Sequence, residues 1–157
     1  LIAGPDIYPA LERGTIDATE FSMPAIDLDW GFYQIAKHAY FPGWHQQATV
    51  FDLMINQDKW DALSKSQKAI IETACGDNMR EGLAEGEAIQ GKALITLKSK
   101  GVIIHKWSQD ILDTLEKAWL EVVAEDSARS PAFKEAWASY SKFRKEYKIW
   151  ADLGYLK

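Results

Sequence analysis

Two short stretches hold residues able to do chemistry together. Asp17-Ala-Thr-Glu-Phe-Ser-Met-Pro24 sets the carboxylate of Glu20 beside the ring of Phe21. Tyr40-Phe-Pro-Gly-Trp-His-Gln-Gln47 follows, a Pro-Gly corner carrying Trp44, His45 and Gln46. Glu20 and Gln46 offer side-chain oxygens of the kind that hard cations take together with backbone carbonyls. The local alternative is that Glu20 caps a turn and Gln46 is solvated. A few fixed polar groups among apolar and aromatic walls make the composition of a small-molecule pocket.

Other chemistries find less support. The histidines, His38, His45 and His105, lack zinc-ligand spacing. His38 reads as a surface residue near a helix end. His45 is either structural or a hydrogen-bonding partner for a ligand. Asp27 and Asp29 are two apart, as in ordinary loop polarity. No nucleophile elbow, phosphate loop, dinucleotide fingerprint or H-E-x-x-H motif occurs, so an enzyme is not expected. The one enzymatic alternative is a lyase or isomerase with Glu20 as base. Cys75 is the lone cysteine, and its helical apolar surroundings predict a buried structural thiol. The net charge is −5 with basic residues scattered among acids, which argues against nucleic acid. No apolar run approaches the roughly 18–20 residues that cross a bilayer.

The elements that must position these residues read α, β, α, β, long α, β, α, long α. Asp6 is placed to cap a helix over 7–13 that stops at Gly14. Residues 15–21 read as a strand, 25–28 as a loop and 30–38 as a helix. Residues 49–55 are mostly apolar and β-rich, which predicts a strand buried on both faces. A short helix surrounds Trp60. Ser64 with Gln67 matches a capping box and opens a long helix to about Ser99. Gly76, Gly82, Gly86 and Gly91 inside it suggest close contacts, kinks or a break. A short strand covers 102–106. Ser108 caps the next helix, and Ser130-Pro131 starts the last. That last helix carries Phe133, Trp137, Tyr140, Phe143, Tyr147 and Trp150 on one face. The face reads either as core or as a partner surface. So few strands, none joined by a hairpin signal, describe part of a larger helix-rich α/β protein. Leu1-Ile-Ala-Gly-Pro5 has no initiator Met and is not a signal peptide, consistent with processing or a start inside a longer chain.

A family resemblance runs over nearly the whole chain. Asp6-Ile-Tyr-Pro-Ala-Leu-Glu-Arg-Gly-Thr-Ile-Asp-Ala-Thr-Glu20 resembles the segment before the ligand pocket in solute-binding proteins of TRAP-type transporters, the DctP-like family. Phe51-Asp-Leu-Met-Ile-Asn-Gln-Asp-Lys-Trp-Asp-Ala-Leu63 resembles that family's strand-then-helix block. Gly31-Phe-Tyr-Gln-Ile-Ala-Lys37 with Tyr40-Phe-Pro-Gly-Trp44 is similar to the subgroup that binds 2-oxo or 2-hydroxy monocarboxylates with a metal ion.

The resemblance implies a two-lobed periplasmic binding protein fold (type II-like), of which residues 1–157 form the C-terminal portion. It implies a substrate-binding component that captures a lactate- or pyruvate-like acid with a cation, Ca²⁺ or Na⁺, and delivers it to membrane permease subunits. A binder of another organic acid without metal, or a dimerisation module, are the alternatives. Glu20 (carboxylate), Phe21 (backbone carbonyl) and Gln46 (side-chain oxygen) correspond to the metal site. Phe21, Trp44 and Gln46 correspond to the substrate site. The family often has Trp where Phe21 stands, and its 2-oxo-acid binders have Glu where Gln46 stands. These departures lower the negative charge and resemble a lactate-type variant. The arginine that clamps the carboxylate in this family falls before Leu1; Arg13 lies in another segment. Some members dimerise by exchanging the C-terminal helix, here residues 130–157.

Overall fold

A computed structural model describes residues 2–155 except 45, 47 and 50. The chain divides into two compact units, Leu1–Lys106 and Trp107–Lys157.

In the first unit, α1 spans Gly4–Glu12, capped by Ala3 with proline in its first turn. Asp6 is therefore inside the helix rather than at its cap. The fixed φ of Pro5 and its missing N–H suit the first turn, and the Asp6 carboxylate favours the positive end of the helix dipole. Gly14 ends the turn with φ +68°, where a side chain is strained. Residues 15–21 form no strand. Helix α2 spans Pro24–Asp29, where a loop is expected from sequence. Its reason lies far away: Gln90 Oε1 accepts the Ala25 N–H at 3.0 Å, across 65 positions. That bond satisfies a first-turn amide that has no partner in its own helix. The expected helix over 30–38 is replaced by a 3-10 turn, Phe32–Gln34, and by strand β1, His38–Phe41. Gly31 separates α2 from that turn at φ +78°.

Helix α3 spans Gln57–Asp61 around Trp60. Helix α4 runs unbroken from Lys65 to Ser99, 35 residues, or about 52 Å at 1.5 Å per residue. Both its ends follow local chemistry. Ser64 and Gln67 form the reciprocal capping box. At the other end the Val102 N–H donates to the Leu97 carbonyl at 3.1 Å and the Gly101 N–H to the Lys98 carbonyl at 3.0 Å. Gly101 has φ +87°, and Leu97 and Val102 are both buried. This is the 6→1 and 5→2 pattern with its apolar contact. The four interior glycines neither kink nor break the helix. A Cβ at any of them would meet no heavy atom within 4 Å, so no close contact among the described residues requires glycine there. Cys75 is exposed, correcting the buried thiol expected from the apolar pattern.

Strand β2, Ile103–Lys106, pairs with β1 in parallel, Tyr40 opposite His105. A parallel pair needs a long crossover, which α3 and α4 supply. Among the described residues this is the whole sheet. Residues 51–55 join no strand there, and Phe51 is 92% and Met54 90% exposed, overturning the buried-strand expectation. An apolar run becomes a strand only beside a backbone that accepts its hydrogen bonds. The described part of this unit's core is small: Ile7, Ala10, Phe32, Ala93, Leu97 and Val102.

The second unit is α5, Gln109–Arg129, and α6, Pro131–Leu153, hinged at Ser130. Ser130 Oγ accepts the Phe133 N–H at 3.2 Å. Trp119 of α5 meets Trp137 of α6 edge to face at 5.0 Å. Arg144 lies over Trp119 and Tyr140. The α6 aromatic face thus divides. Trp137 is used within the unit, whereas Phe143, Tyr147 and Trp150 stay exposed.

Gln90→Leu keeps the volume of the side chain but strands the Ala25 amide, and should cost about 1–3 kcal/mol. Ser64→Ala, which removes a cap only, should cost about 1 kcal/mol. Urea unfolding of both variants ranks them; a Gln90→Leu variant as stable as wild type would show that the bridge does not hold α2.

Candidate functional site

Glu20 and Phe21 lie in the irregular segment between α1 and α2, and their placement comes from the Phe21 ring. That ring sits 4.8 Å from Trp30 and 5.0 Å from Phe32, tilted against both. Tyr8 of α1 reaches Phe32 at 6.0 Å. A Cβ at Gly4 would lie 3.6 Å from Phe21 Cε2, an ordinary van der Waals contact, so the ring packs close to α1 without requiring glycine there. Tilted aromatic contacts of this kind add about 0.5–1.5 kcal/mol each beyond burial. With its ring held, the Phe21 backbone is fixed, and so is neighbouring Glu20. The Thr19 hydroxyl donates to the Glu20 carbonyl at 2.9 Å.

From sequence Asp27 is expected to be ordinary loop polarity. It is instead a half-buried carboxylate on α2. Burial pushes its pKa up to about 6; a hydrogen bond from the Ser22 backbone opposes the shift, and the charge of Glu20 adds to it. One carboxylate oxygen, Oδ1, is buried with no hydrogen-bond partner. Glu20, Ser22 and Asp27 therefore form one electronegative group. The detectable signal was Pro24, which opens a helix and turns Asp27 inward rather than along a loop.

Gln46 is held in its own turn, where Nε2 donates to Thr49 Oγ1 at 2.7 Å. That contact engages the amide nitrogen, and the oxygen is the atom a cation would take. Trp44 is exposed in the same segment. His45 lies outside the described residues. His38 is on β1, not at a helix end, and hydrogen-bonds His105 at 2.8 Å. Two surface depressions, of about 460 and 360 Å³, lie elsewhere on α4 and the segment before it. The larger is lined by Ala69, Ile70, Thr73, Ala74 and Asp77. These share one face of a single helix, which cannot enclose a ligand. Among the described residues no three His, Cys, Asp or Glu side chains converge. A cation here would draw on mixed oxygen donors rather than a carboxylate cage.

The donors gathered here are carboxylate, carbonyl and amide groups set among aromatic rings, the composition of a binding site. Residues 2–129 match the DctP family, described as bacterial extracellular solute-binding protein, family 7. The chain belongs to this family. It is a family of TRAP transporter binding proteins, not of enzymes. A monocarboxylate 2-oxoacid-binding periplasmic protein from a Nostoc species is 31% identical over 96% of the chain and 41% of its own length. A TRAP transporter solute-binding protein from Bordetella bronchiseptica, a mixed-occupancy dimer with copurified calcium and picolinate, superposes with a TM-score of 0.87. It is 33% identical over 95% of the chain and 44% of its own length. A TRAP periplasmic solute-binding protein from Colwellia psychrerythraea with bound calcium and pyruvate gives a TM-score of 0.89 and 28% identity. That match covers 98% of the chain and 47% of the solved protein. The chain thus spans less than half the length of these relatives. The DctP fold expected from sequence is the one observed.

Asp27 supplies a pH test of the site. Its folded pKa, about 6, lies above its ordinary value of 3.8, so the ionised form is the disfavoured one. The penalty is absent below the unfolded pKa, grows as pH rises through the folded pKa, and is complete above it. In chelator, Asp27→Asn should stabilise the protein at pH 8 by about 1–2 kcal/mol, allowing for solvent screening. The gain should vanish near pH 4. Thermal melts at the two pH values measure it, and a gain that is larger at the acid end would refute the assignment.

Proposed function

We propose that this chain is the C-terminal portion of a two-lobed, periplasmic TRAP solute-binding protein that captures a small 2-oxo or 2-hydroxy monocarboxylate together with a cation. The observation that carries the reading is the donor chemistry of the Glu20 segment. A carboxylate, a backbone carbonyl at Phe21 and the amide oxygen of Gln46 are hard oxygen ligands, suited to Ca²⁺ rather than to a thiolate- or imidazole-seeking metal. The buried, unpartnered Asp27 oxygen and the charge of Glu20 beside it fit a nearby positive ion. Calcium accompanies pyruvate in the Colwellia relative and picolinate in the Bordetella one.

The bound ion would supply positive charge to the ligand carboxylate. This chain's residues do the rest. Glu20 and Gln46 hold the ion, the Phe21 ring fixes the backbone that carries its carbonyl, and Trp44 covers the apolar side of the ligand. With Gln at position 46 the site carries one charge less than a two-glutamate version, which favours the 2-hydroxy acid. The opposite wall and a carboxylate-gripping arginine belong to the N-terminal lobe. The loaded protein would then dock on membrane permease subunits.

Calorimetric titration of the two-lobed protein with lactate and pyruvate, with and without Ca²⁺, tests the reading. Ligand heat should appear only with Ca²⁺, and Glu20→Gln should weaken Ca²⁺ binding at least tenfold, about 1.4 kcal/mol. Equal binding in chelator, or an unaffected Glu20→Gln variant, would exclude the cation-linked site.

The exposed half of the α6 face supports a homodimer through the terminal helix, residues 130–157. Phe143, Tyr147 and Trp150 are exposed, whereas Trp137 packs on Trp119 of α5. A Phe143→Ala, Trp150→Ala variant should sediment as a monomer where the wild type sediments as a dimer. Equal masses for the two proteins would remove the dimer from the reading.

A further inference from the structure

Away from the Glu20 segment, the two short strands bring two imidazoles together. Tyr40 and His105 are register partners, and His38, two residues before Tyr40, is on the same face of β1. His38 Nδ1 and His105 Nε2 are 2.8 Å apart and hydrogen-bonded. The ring centroids are 5.1 Å apart with planes 21° from parallel. That separation with so short a nitrogen contact means the rings meet edge to edge, sharing one N–H between two in-plane nitrogens. Tyr40 lies 4.6 Å from the His105 ring at 16° and holds it in plane. His38 is exposed and His105 half-buried, so water reaches the pair. Among the described residues no third His, Cys, Asp or Glu joins them.

We propose that His38 and His105 form a second, nitrogen-based cation site that takes a divalent transition ion such as Cu²⁺, Ni²⁺ or Zn²⁺, with water completing its coordination. Metal–imidazole bonds of about 2.0–2.1 Å hold two nitrogens about 2.9 Å apart at a right angle and about 3.4 Å at the tetrahedral angle. The observed 2.8 Å needs only a small opening of the pair. The ion takes the place of the shared hydrogen. The donor ring moves its N–H to its other nitrogen, so neutral rings release no proton. His38 then ligates through Nδ1 and His105 through Nε2. Imidazole nitrogen selects these ions over Ca²⁺ and Mg²⁺, which prefer oxygen, and the affinity order places Cu²⁺ first. The site does not depend on the solute-binding reading, since it shares none of the residues assigned to the solute.

The test is Cu²⁺ titration of the full chain in excess Ca²⁺, followed by electron paramagnetic resonance. One Cu²⁺ should bind with nitrogen couplings from two imidazoles. His38→Ala and His105→Ala should each remove one coupled nitrogen and weaken binding at least about tenfold, the scale on which even outer partners of a metal ligand matter. Both positions are accessible, so circular dichroism should show intact folds. Ni²⁺ calorimetry gives a second measure with the same expected losses. A wild-type spectrum without paired imidazole nitrogens overturns the proposal, as do unchanged Cu²⁺ couplings in the two variants.

Discussion

One side chain fixes much of the first unit. Gln90, part-buried on α4, accepts the Ala25 N–H with its oxygen and donates to the Gly86 carbonyl with its nitrogen. A short helix such as α2 is nearly all ends, and its amides need partners from outside. Gln90 supplies one, which seats α2 on α4. Trp30 at the C-cap of α2 and Phe32 just beyond Gly31 then grip the Phe21 ring. Glu20 is held because Phe21 is. The site is positioned by a chain of contacts that begins at a glutamine far away in sequence.

The charge balance of that site follows from the same seating. Placing α2 against α4 half-buries Asp27 near Glu20, with a buried oxygen that no described group satisfies. Two carboxylates so placed are costly together without compensation. A proton on Asp27 relieves that cost. The cation proposed at Glu20 would relieve it as well, and the two would then compete, because each neutralises the same charge.

What was legible in the sequence was whatever a few adjacent residues decide. Ser64 with Gln67 and Ser130 with Pro131 set their helix starts through contacts within three positions, and α4 ends at Ser99 before Gly101; all three ends fall where expected. Position effects that need a distant partner were not legible. Helix α2 depends on Gln90, and β1 depends on β2, which follows some sixty residues later. The run over 51–55 misled for the opposite reason: its composition suits a buried strand, yet no described backbone pairs with it. The residues of the candidate site were legible as types, and the resemblance named Glu20, Phe21 and Gln46. Asp27 was not, because its role comes from burial beside Glu20, and no short window shows burial.

The two proposed cation positions differ in kind. Around Glu20 the donors are oxygens, anionic and hard, and attraction is mainly Coulombic. Between β1 and β2 the donors are neutral nitrogens, and attraction depends on covalency that calcium lacks. A single cation therefore does not sample both positions equally, even though both lie in one unit. The oxygen position would draw its strength from negative charge, which salt weakens. The nitrogen position would bind through lone-pair donation, so salt would affect it little. The two respond differently to salt because one rests on electrostatics and the other on lone-pair donation.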